Sequence, residues 1–117
     1  MPTYRTTYDE FIESYKAGTT NAEEVGYVIT KMAQFFCDAN MAAGSADEAY
    51  NKIYALNMQL EEGGKSISAA KAKILSDASD EARVLKSAKI TLENIEQLIN
   101  ALKYLQKGMQ NEYAHMS

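Results

Sequence analysis

Few residues in this 117-residue chain have the types and spacing that metal chemistry requires. Glu112 and His115 stand three positions apart, the spacing that di-iron carboxylate bundles use for two ligands on one helix. His115 is the only histidine and lies near the end of the chain, where helices fray, and such a site needs a further glutamate on a facing helix. The sequence therefore predicts no metal site.

The run Gly63-Gly64-Lys65-Ser66 has the ending of a phosphate-binding loop. The complete pattern needs glycine at position 59, which is Gln59 here, and a strand before the loop. The segment before this run has a helical pattern instead of a strand pattern. The backbone amides of the run would therefore not converge on a phosphate. We interpret the run as a turn followed by a helix N-cap.

The other candidates for catalysis are carboxylates and one thiol. Neighbouring residues on a helix point about 100° apart, so adjacent carboxylates cannot act on one substrate. Such pairs are Glu23-Glu24, Asp47-Glu48, Glu61-Glu62 and Asp80-Glu81. Cys37 has no histidine near it in the sequence to act as a base, and a single cysteine is typical of a reducing compartment. We predict that the protein is not an enzyme and uses no cofactor.

A basic stretch is the strongest candidate for binding a ligand. Its members are Lys65, Lys71, Lys73, Arg83, Lys86 and Lys89. Such a surface binds backbone phosphates without a sequence motif, and Tyr50 and Tyr54 could stack on bases. The chain is acidic overall, with a net charge of −4, and the acidic residues of 1–62 offer these side chains partners within the molecule. Internal pairing is the favoured interpretation. Binding of nucleic acid or nucleotide, as by a recombination helper or a defence inhibitor, is the alternative.

The elements that must position these residues are helices. Capping boxes at Thr7–Glu10 and Thr20–Glu23 predict two helix starts. Gly18 and the pair Gly63-Gly64 predict helix ends, because glycine readily adopts the left-handed conformation there. The expected helices span about 7–17, about 20–62 and about 66–115. Capping residues near 77–80 could break the third helix, and the sequence leaves that break open.

Apolar residues recur at alternating steps of three and four in the two longer helices, the pattern of a coiled-coil seam. In the second helix the seam is Val25, Val28, Met32, Phe35, Ala39, Ala42, Ala46, Ala49, Ile53, Leu56 and Leu60. In the third it is Leu85, Ala88, Leu92, Ile95, Ile99, Leu102, Met109, Tyr113 and Met116, with the polar Gln106 as one interruption. Ile67, Ile74 and Ala78 extend the register backwards, although Lys71 and Glu81 interrupt it. Each seam predicts one buried face along the whole helix.

A two-glycine turn between long helices predicts an antiparallel hairpin. Facing residues should then have numbers that sum to about 127. Such pairs are Val25 with Leu102, Met32 with Ile95, Ala42 with Leu85, Ala49 with Ala78, and Ile53 with Ile74. The predicted fold is all-α, a single domain over 1–117, with a short N-terminal helix and a long hairpin of about 60 Å.

Many apolar side chains lie outside these seams. They are Ile29, Phe36, Tyr50, Tyr54, Met58, Val84, Leu98 and Leu105. Two helices cannot bury faces this wide, and exposed apolar patches mark interfaces. We predict a homo-oligomer, most simply two hairpins in a four-helix-type bundle, with a protein partner as a further possibility. The first helix would cap Leu105, Met109 and Tyr113. The alternative is a monomeric three-helix bundle, in which the first helix folds along the hairpin.

Residues Lys89 to Tyr113, KITLENIEQLINALKYLQKGMQNEY, resemble the C-terminal helix of small uncharacterised helical-hairpin proteins of tailed bacteriophages. The likeness rests on the stretch from Asn94-Ile95-Glu96 to Ala101-Leu102-Lys103. It implies a phage or prophage accessory protein, a class that includes virion components, recombination helpers and inhibitors of host defence. The sequence has no apolar run long enough for a membrane span and no signal-peptide pattern. We therefore expect a cytoplasmic protein, in the bacterial host if it is phage-encoded.

Overall fold

The computed structural model describes residues 2–116, with side chains for 2–112. It confirms the all-α prediction, since the elements are four helices and one pair of two-residue strands. They are α1 (Tyr4–Lys16), α2 (Ala22–Met58), β1 (Glu61–Glu62), β2 (Lys65–Ser66), α3 (Ala69–Asp77) and α4 (Asp80–Met116). None of the helices within the described range combines the length and apolar character that crossing a bilayer needs.

The chain packs as two compact units. Unit 1 contains the described residues up to Asp38 and those from Glu93 onwards, and unit 2 is Ala39–Leu92. Helices α2 and α4 contribute to both units. The single domain over 1–117 stays a prediction, and the two units are described separately below.

Helix α1 begins three residues earlier than predicted, because its capping box is formed by Thr3 and Thr6 rather than by Thr7 and Glu10. The Thr6 amide donates to the Thr3 hydroxyl at 3.2 Å, and the Thr3 amide donates to the Thr6 hydroxyl at 2.8 Å. A threonine hydroxyl thus does what the glutamate carboxylate of the usual box does. The helix ends before Gly18, which has φ of +74°.

Helix α2 begins two residues later than predicted, at Ala22, because Asn21 rather than Thr20 caps it. The Asn21 side-chain oxygen accepts a hydrogen bond from the Glu24 amide at 2.9 Å. Asparagine is as good an N-cap as threonine or better, so the predicted box at Thr20–Glu23 is wrong. The Thr20 hydroxyl is buried and finds no hydrogen-bond partner among the described residues.

Helix α2 also ends earlier than predicted, at Met58, because a small β-hairpin follows it. Glu61 pairs with Ser66, and Glu62 pairs with Lys65. The two residues between the strands, Gly63 and Gly64, have φ of +58° and +80°. Positive φ at both central residues is the mark of a type I′ turn, whose twist matches that of a hairpin.

The third predicted helix is broken in the region that the sequence left open. Helix α3 starts with Ser68, whose hydroxyl accepts from the Lys71 amide at 3.1 Å, rather than with Ser66. After α3 ends at Asp77, the Ser79 hydroxyl accepts from the Ala82 amide at 3.2 Å. Ser79 thereby caps a new helix at Asp80, and α3 and α4 have independent helical phases.

The core of unit 1 confirms the predicted seams there. Val25 and Met32 of α2 and Ile95 and Leu102 of α4 are fully buried, with Phe11 of α1 beside them in the core. The Gln106 side chain donates to the carbonyl oxygen of Ala22 at 3.0 Å. The numbers of these two residues sum to 128, close to the sum of about 127 predicted for an antiparallel hairpin.

Helix α1 folds back over the α2–α4 pair in unit 1. Its residues line shallow clefts with residues 24–31 of α2 and with residues 94–98 of α4. Met109 lines an open cleft with residues 20–23 at the start of α2, and the capping of Leu105 and Met109 by α1 stays a prediction. The side chain of Tyr113 lies outside the described residues. In unit 1 α1 therefore lies along the α2–α4 pair, as in the alternative arrangement, and the oligomeric state stays a prediction.

The core of unit 2 departs from the predicted seam of α2. Ala46 is buried as predicted, but Ala43, which lies outside the seam, is buried too, whereas the seam residues Ala42 and Leu56 are exposed, Leu56 to 59 %. A straight α-helix has 3.6 residues per turn, so its buried face drifts by about 20° per heptad relative to a 3.5-residue repeat. The inward face consequently moves from position 42 to 43, and Leu60 lies exposed beyond the helix end.

The predicted partners of α2 in unit 2 are also wrong. On α3 the buried residues are Ala72 and Ser76, while Ile74 is 69 % exposed and Ala78 is exposed. In the pair Ala42 with Leu85, Leu85 is buried as predicted but Ala42 is exposed. The pairs Ala49 with Ala78 and Ile53 with Ile74 do not form a buried seam. The reason is the break after Asp77, which frees α3 from the register of α4.

Replacing Gly44 by alanine should stabilise the protein. Gly44 lies inside α2, and a Cβ there would have no neighbouring atom within 4 Å. Glycine in a helix interior is about 0.5–1 kcal/mol less favourable than alanine, so Gly44→Ala should raise the free energy of unfolding by about that amount. Urea unfolding followed by circular dichroism measures it. Gly18→Ala, at a positive φ, is the control and should destabilise. A loss of stability in Gly44→Ala would contradict a regular helix at that position.

Candidate functional site

The exposed aliphatic side chains of the protein are concentrated in unit 2. They are Met41, Leu56, Met58, Leu60, Ile74, Leu75, Val84 and Ile90, between 39 % and 73 % exposed. The exposed large apolar side chains found in the described part of unit 1 are tyrosines, namely Tyr15, Tyr27 and Tyr104. A tyrosine hydroxyl tolerates water, but these aliphatic groups do not. Unit 2 thus carries the apolar surface that its own fold leaves uncovered.

The residues predicted to form an interface are divided by the structure. Met58 and Val84 are exposed on unit 2, and the others are half-buried: Ile29, Phe36, Tyr50, Tyr54, Leu98 and Leu105. Leu98 lines a cleft with α1. The sequence reasoning missed Ile74 and Leu56 as surface residues because it assigned both to the seam. A 3.6-residue period applied to α2 would have indicated that Leu56 is exposed. The capping serine before α4 would have indicated that Ile74 belongs to a separate helix.

A polar cluster connects α2 to α3 in unit 2. The Tyr50 hydroxyl donates to an Asp77 carboxylate oxygen at 2.6 Å, and the Lys73 ammonium lies 3.3 Å from the other oxygen. The hydrogen bond from Tyr50, with that from Lys73, lowers the pKa of Asp77, and the same bond raises the pKa of Tyr50. The carboxylate raises the pKa of Lys73. The cluster therefore connects α3 to α2 through a hydrogen bond, with an ion pair within α3.

Two further contacts fix how α3 faces α2. The Asn57 amide donates to the Ser76 hydroxyl at 2.9 Å, and that hydroxyl donates to the carbonyl oxygen of Ala72 at 2.7 Å. Lys71 forms an ion pair with Glu62 of β1. Together with the Tyr50–Asp77 bond, these contacts turn Ala72 and Ser76 inward and leave Ile74 on the outer side of α3.

The Asp77 cluster should make stability depend on acid. Because the folded-state pKa of Asp77 lies below its ordinary value of 3.8, its contribution is present above pH 3.8 and is lost as pH falls through the lower folded value. Asp77→Asn should therefore flatten the decline of the urea midpoint below about pH 4. Tyr50→Phe, which keeps Lys73, should show an intermediate slope. Identical slopes in Asp77→Asn and the unsubstituted protein would contradict this.

Half of the basic stretch is paired within unit 2. Lys71 pairs with Glu62, Lys73 with Asp77, and Arg83 with Asp80. Lys65, Lys86 and Lys89 are exposed, and no carboxylate of the described chain lies within ion-pair distance of them. Unit 2 contains equal numbers of basic and acidic side chains. It therefore presents little net positive charge to a phosphate backbone.

The other sequence candidates have unremarkable surroundings. Cys37 is exposed, and Gly63–Ser66 belongs to the β-hairpin rather than to a loop before a helix. Glu112 is exposed, and the side chain of His115 lies outside the described residues. Residues 2–112 contain no group of three or more histidine, cysteine or acidic side chains that could hold a metal ion.

An open groove lies between α2 and α4 in unit 1. Its floor contains Ile29, Ala33, Phe36 and Ile99, and its edge on α4 contains Glu96, Asn100 and Lys103. Helix α1 lies over other positions of the same helices, including Val28 and Leu98. With 3.6 residues per turn, these positions and the groove residues point to opposite sides of the helix pair. The groove is therefore the side of this pair that α1 does not cover.

Comparison of the chain with known protein families, with characterised proteins and with solved structures finds no match. Functional inference therefore depends on the surfaces described above.

Proposed function

We propose that this protein is a non-enzymatic helical interaction protein that acts by associating with itself and with a protein partner. The observation that carries the proposal is the set of eight exposed aliphatic side chains on unit 2. Burying apolar surface is favourable by about 25 cal/mol per Å². Exposed apolar side chains that lie together on a folded protein are typical of interaction surfaces.

The rigidity of α3 supports this proposal. Ile74 and Leu75 cannot turn inward without breaking the Asn57–Ser76 and Tyr50–Asp77 hydrogen bonds. Moreover, Ala72 already fills the inward position and is completely buried. The apolar residues of α3 are thus held on the surface by specific polar contacts, as a partner-binding face requires.

We extend the proposal to a phage or prophage accessory or virion component because of the resemblance of residues 89–113. Such a protein would act in the cytoplasm of the bacterial host. The genes that neighbour its own gene test this extension: genes for phage structural or accessory proteins support it, and a chromosomal metabolic operon contradicts it.

Self-association is tested by sedimentation velocity over a wide range of protein concentrations. We expect the sedimentation coefficient to rise with concentration. The double variant Leu56→Lys/Ile74→Lys should associate more weakly at an unchanged helix content, whereas Lys52→Gln, an exposed polar change on α2, should behave as the unsubstituted protein does. A monomer at every concentration would overturn the self-association.

Binding of nucleic acid through the basic stretch, the alternative function, should be weak or absent. Three of its six side chains already pair with carboxylates, so few phosphate counterions would be released on binding. A titration with a fluorescent single-stranded oligonucleotide, at low salt and again at higher salt, measures this. Tight binding that weakens steeply with salt, and that Lys86→Gln/Lys89→Gln abolishes, would favour the alternative.

A further inference from the structure

We propose that the groove of unit 1 is the docking site for a second copy of this chain, which binds with its α4 antiparallel to the first. The inference rests on the proposed self-association and assigns it a second contact surface, on unit 1, besides the exposed aliphatic side chains of unit 2. The groove floor is formed by Ile29, Ala33, Phe36 and Ile99.

The uncovered side of the α2–α4 pair has room for further helices. Helix α1 covers one side of the pair. The core residues Met32 and Ile95 are buried between α2 and α4 and beneath α1. On the groove side Ile29, Phe36 and Ile99 are only half-buried. A second α2–α4 pair packed on that side would form a four-helix bundle with the first pair, so that each helix would have two neighbours.

The charges along the groove side of α4 identify the occupant. Glu96 and Lys103 line the groove, and Glu93 and Lys107 lie about one helical turn further towards the two ends of α4. All four side chains are exposed, and none forms an ion pair with another described residue. Glu96 and Lys103 are about 10 Å apart along the helix, too far to pair directly with each other.

A two-fold axis between Ile99 and Asn100 pairs these charges between copies. Glu96 then faces Lys103 of the second copy, and this contact occurs twice by symmetry. A parallel copy in the same register would bring like charges together, which is unfavourable. At the centre of the contact lies Ile99, with Ile29 beside it in the groove. The surface is thus complementary to itself in one orientation only.

Charge reversal tests this arrangement, with the dissociation constant of the dimer measured by sedimentation equilibrium at low ionic strength. Glu96→Lys and Lys103→Glu should each weaken the dimer about tenfold or more, because each replaces two attractions by two repulsions. The double variant Glu96→Lys/Lys103→Glu should return the dissociation constant to within about threefold of the original. Glu13→Lys changes net charge as Glu96→Lys does, but on α1, and should have little effect.

The outcomes separate the two proposals. If the unsubstituted protein associates but the single reversals leave the dissociation constant unchanged, the docking mode is overturned while self-association stands. If the double variant stays as weak as the singles, although circular dichroism shows a folded protein, the pairing of Glu96 with Lys103 is overturned. If the protein is monomeric throughout, both proposals fail.

Discussion

Leu102→Ala should lower the free energy of unfolding by about 2–5 kcal/mol, the usual effect of removing a buried leucine side chain. Leu102 of α4 is 1 % exposed and belongs to the core of unit 1 with Val25, Met32 and Ile95. The substitution leaves a cavity that neighbouring helices can fill only in part, so both lost burial and lost packing contribute. Urea unfolding monitored by circular dichroism gives the change.

Tyr104→Ala is the matched control for this substitution. Tyr104 lies two residues away on the same helix and is 83 % exposed, so its truncation removes more atoms but little buried surface. We expect its effect to stay within about 0.5 kcal/mol. Equal effects of the two substitutions would mean that α4 does not bury the face assigned to it.

Ala72→Leu should destabilise the protein by about 1–3 kcal/mol, because extra methylene groups in a filled core force neighbouring atoms apart. Ala72 of α3 is completely buried in unit 2 and follows the turn that Ser68 caps. Ala70→Leu, on the exposed side of the same helix, should change stability by less than about 0.5 kcal/mol. The same urea experiment measures both variants.

Ile74→Ala distinguishes the observed orientation of α3 from the one that the heptad pattern predicts. Ile74 is 69 % exposed, so its truncation should be nearly neutral for the folding of a dilute, monomeric sample. Were Ile74 a seam residue, the same truncation would destabilise by several kcal/mol, about 2–5. A loss of that size, together with a neutral Ala72→Leu, would contradict the packing of α3 described above.

Leu102→Ala lies in unit 1, where the buried residues of the helices were predicted correctly from the sequence. Ala72→Leu and Ile74→Ala lie in unit 2, where several of them were not. In unit 1 the predicted seam positions Val25, Met32, Ile95 and Leu102 are the buried ones. A seam is a local pattern, because it follows from the spacing of apolar residues along one helix. Where two helices lie in antiparallel contact, the same spacing is repeated over several turns of both helices. In unit 2 the same periodicity misassigned Leu56, because a helix of 3.6 residues per turn drifts from a 3.5-residue repeat. It misassigned Ile74 because α3 ends at Asp77 and does not continue the register of α4.

The candidate interaction surfaces were also only partly predictable. The surplus of apolar residues was evident from the sequence, and Met58 and Val84 are indeed exposed. Which other residues are exposed depends on the phase of each helix, so Leu56, Ile74 and Leu75 were missed as surface residues. The opposed charges along α4 are visible in the sequence, but their relation to a groove depends on which side α1 covers.

The sequence by itself determined the helical class, the face that α4 buries and the absence of a recognisable catalytic motif, because helical periodicity and residue chemistry act over a few neighbouring positions. Tertiary structure decided where the helices start, how α3 is rotated and which side α1 covers. Competing caps such as Thr3 and Thr7, or Thr20 and Asn21, differ by at most about 1–2 kcal/mol, so neighbouring contacts select between them. The rotation of α3 follows from the bonds of Tyr50 to Asp77 and of Asn57 to Ser76. These join residues that are far apart in the chain, and no local pattern specifies them.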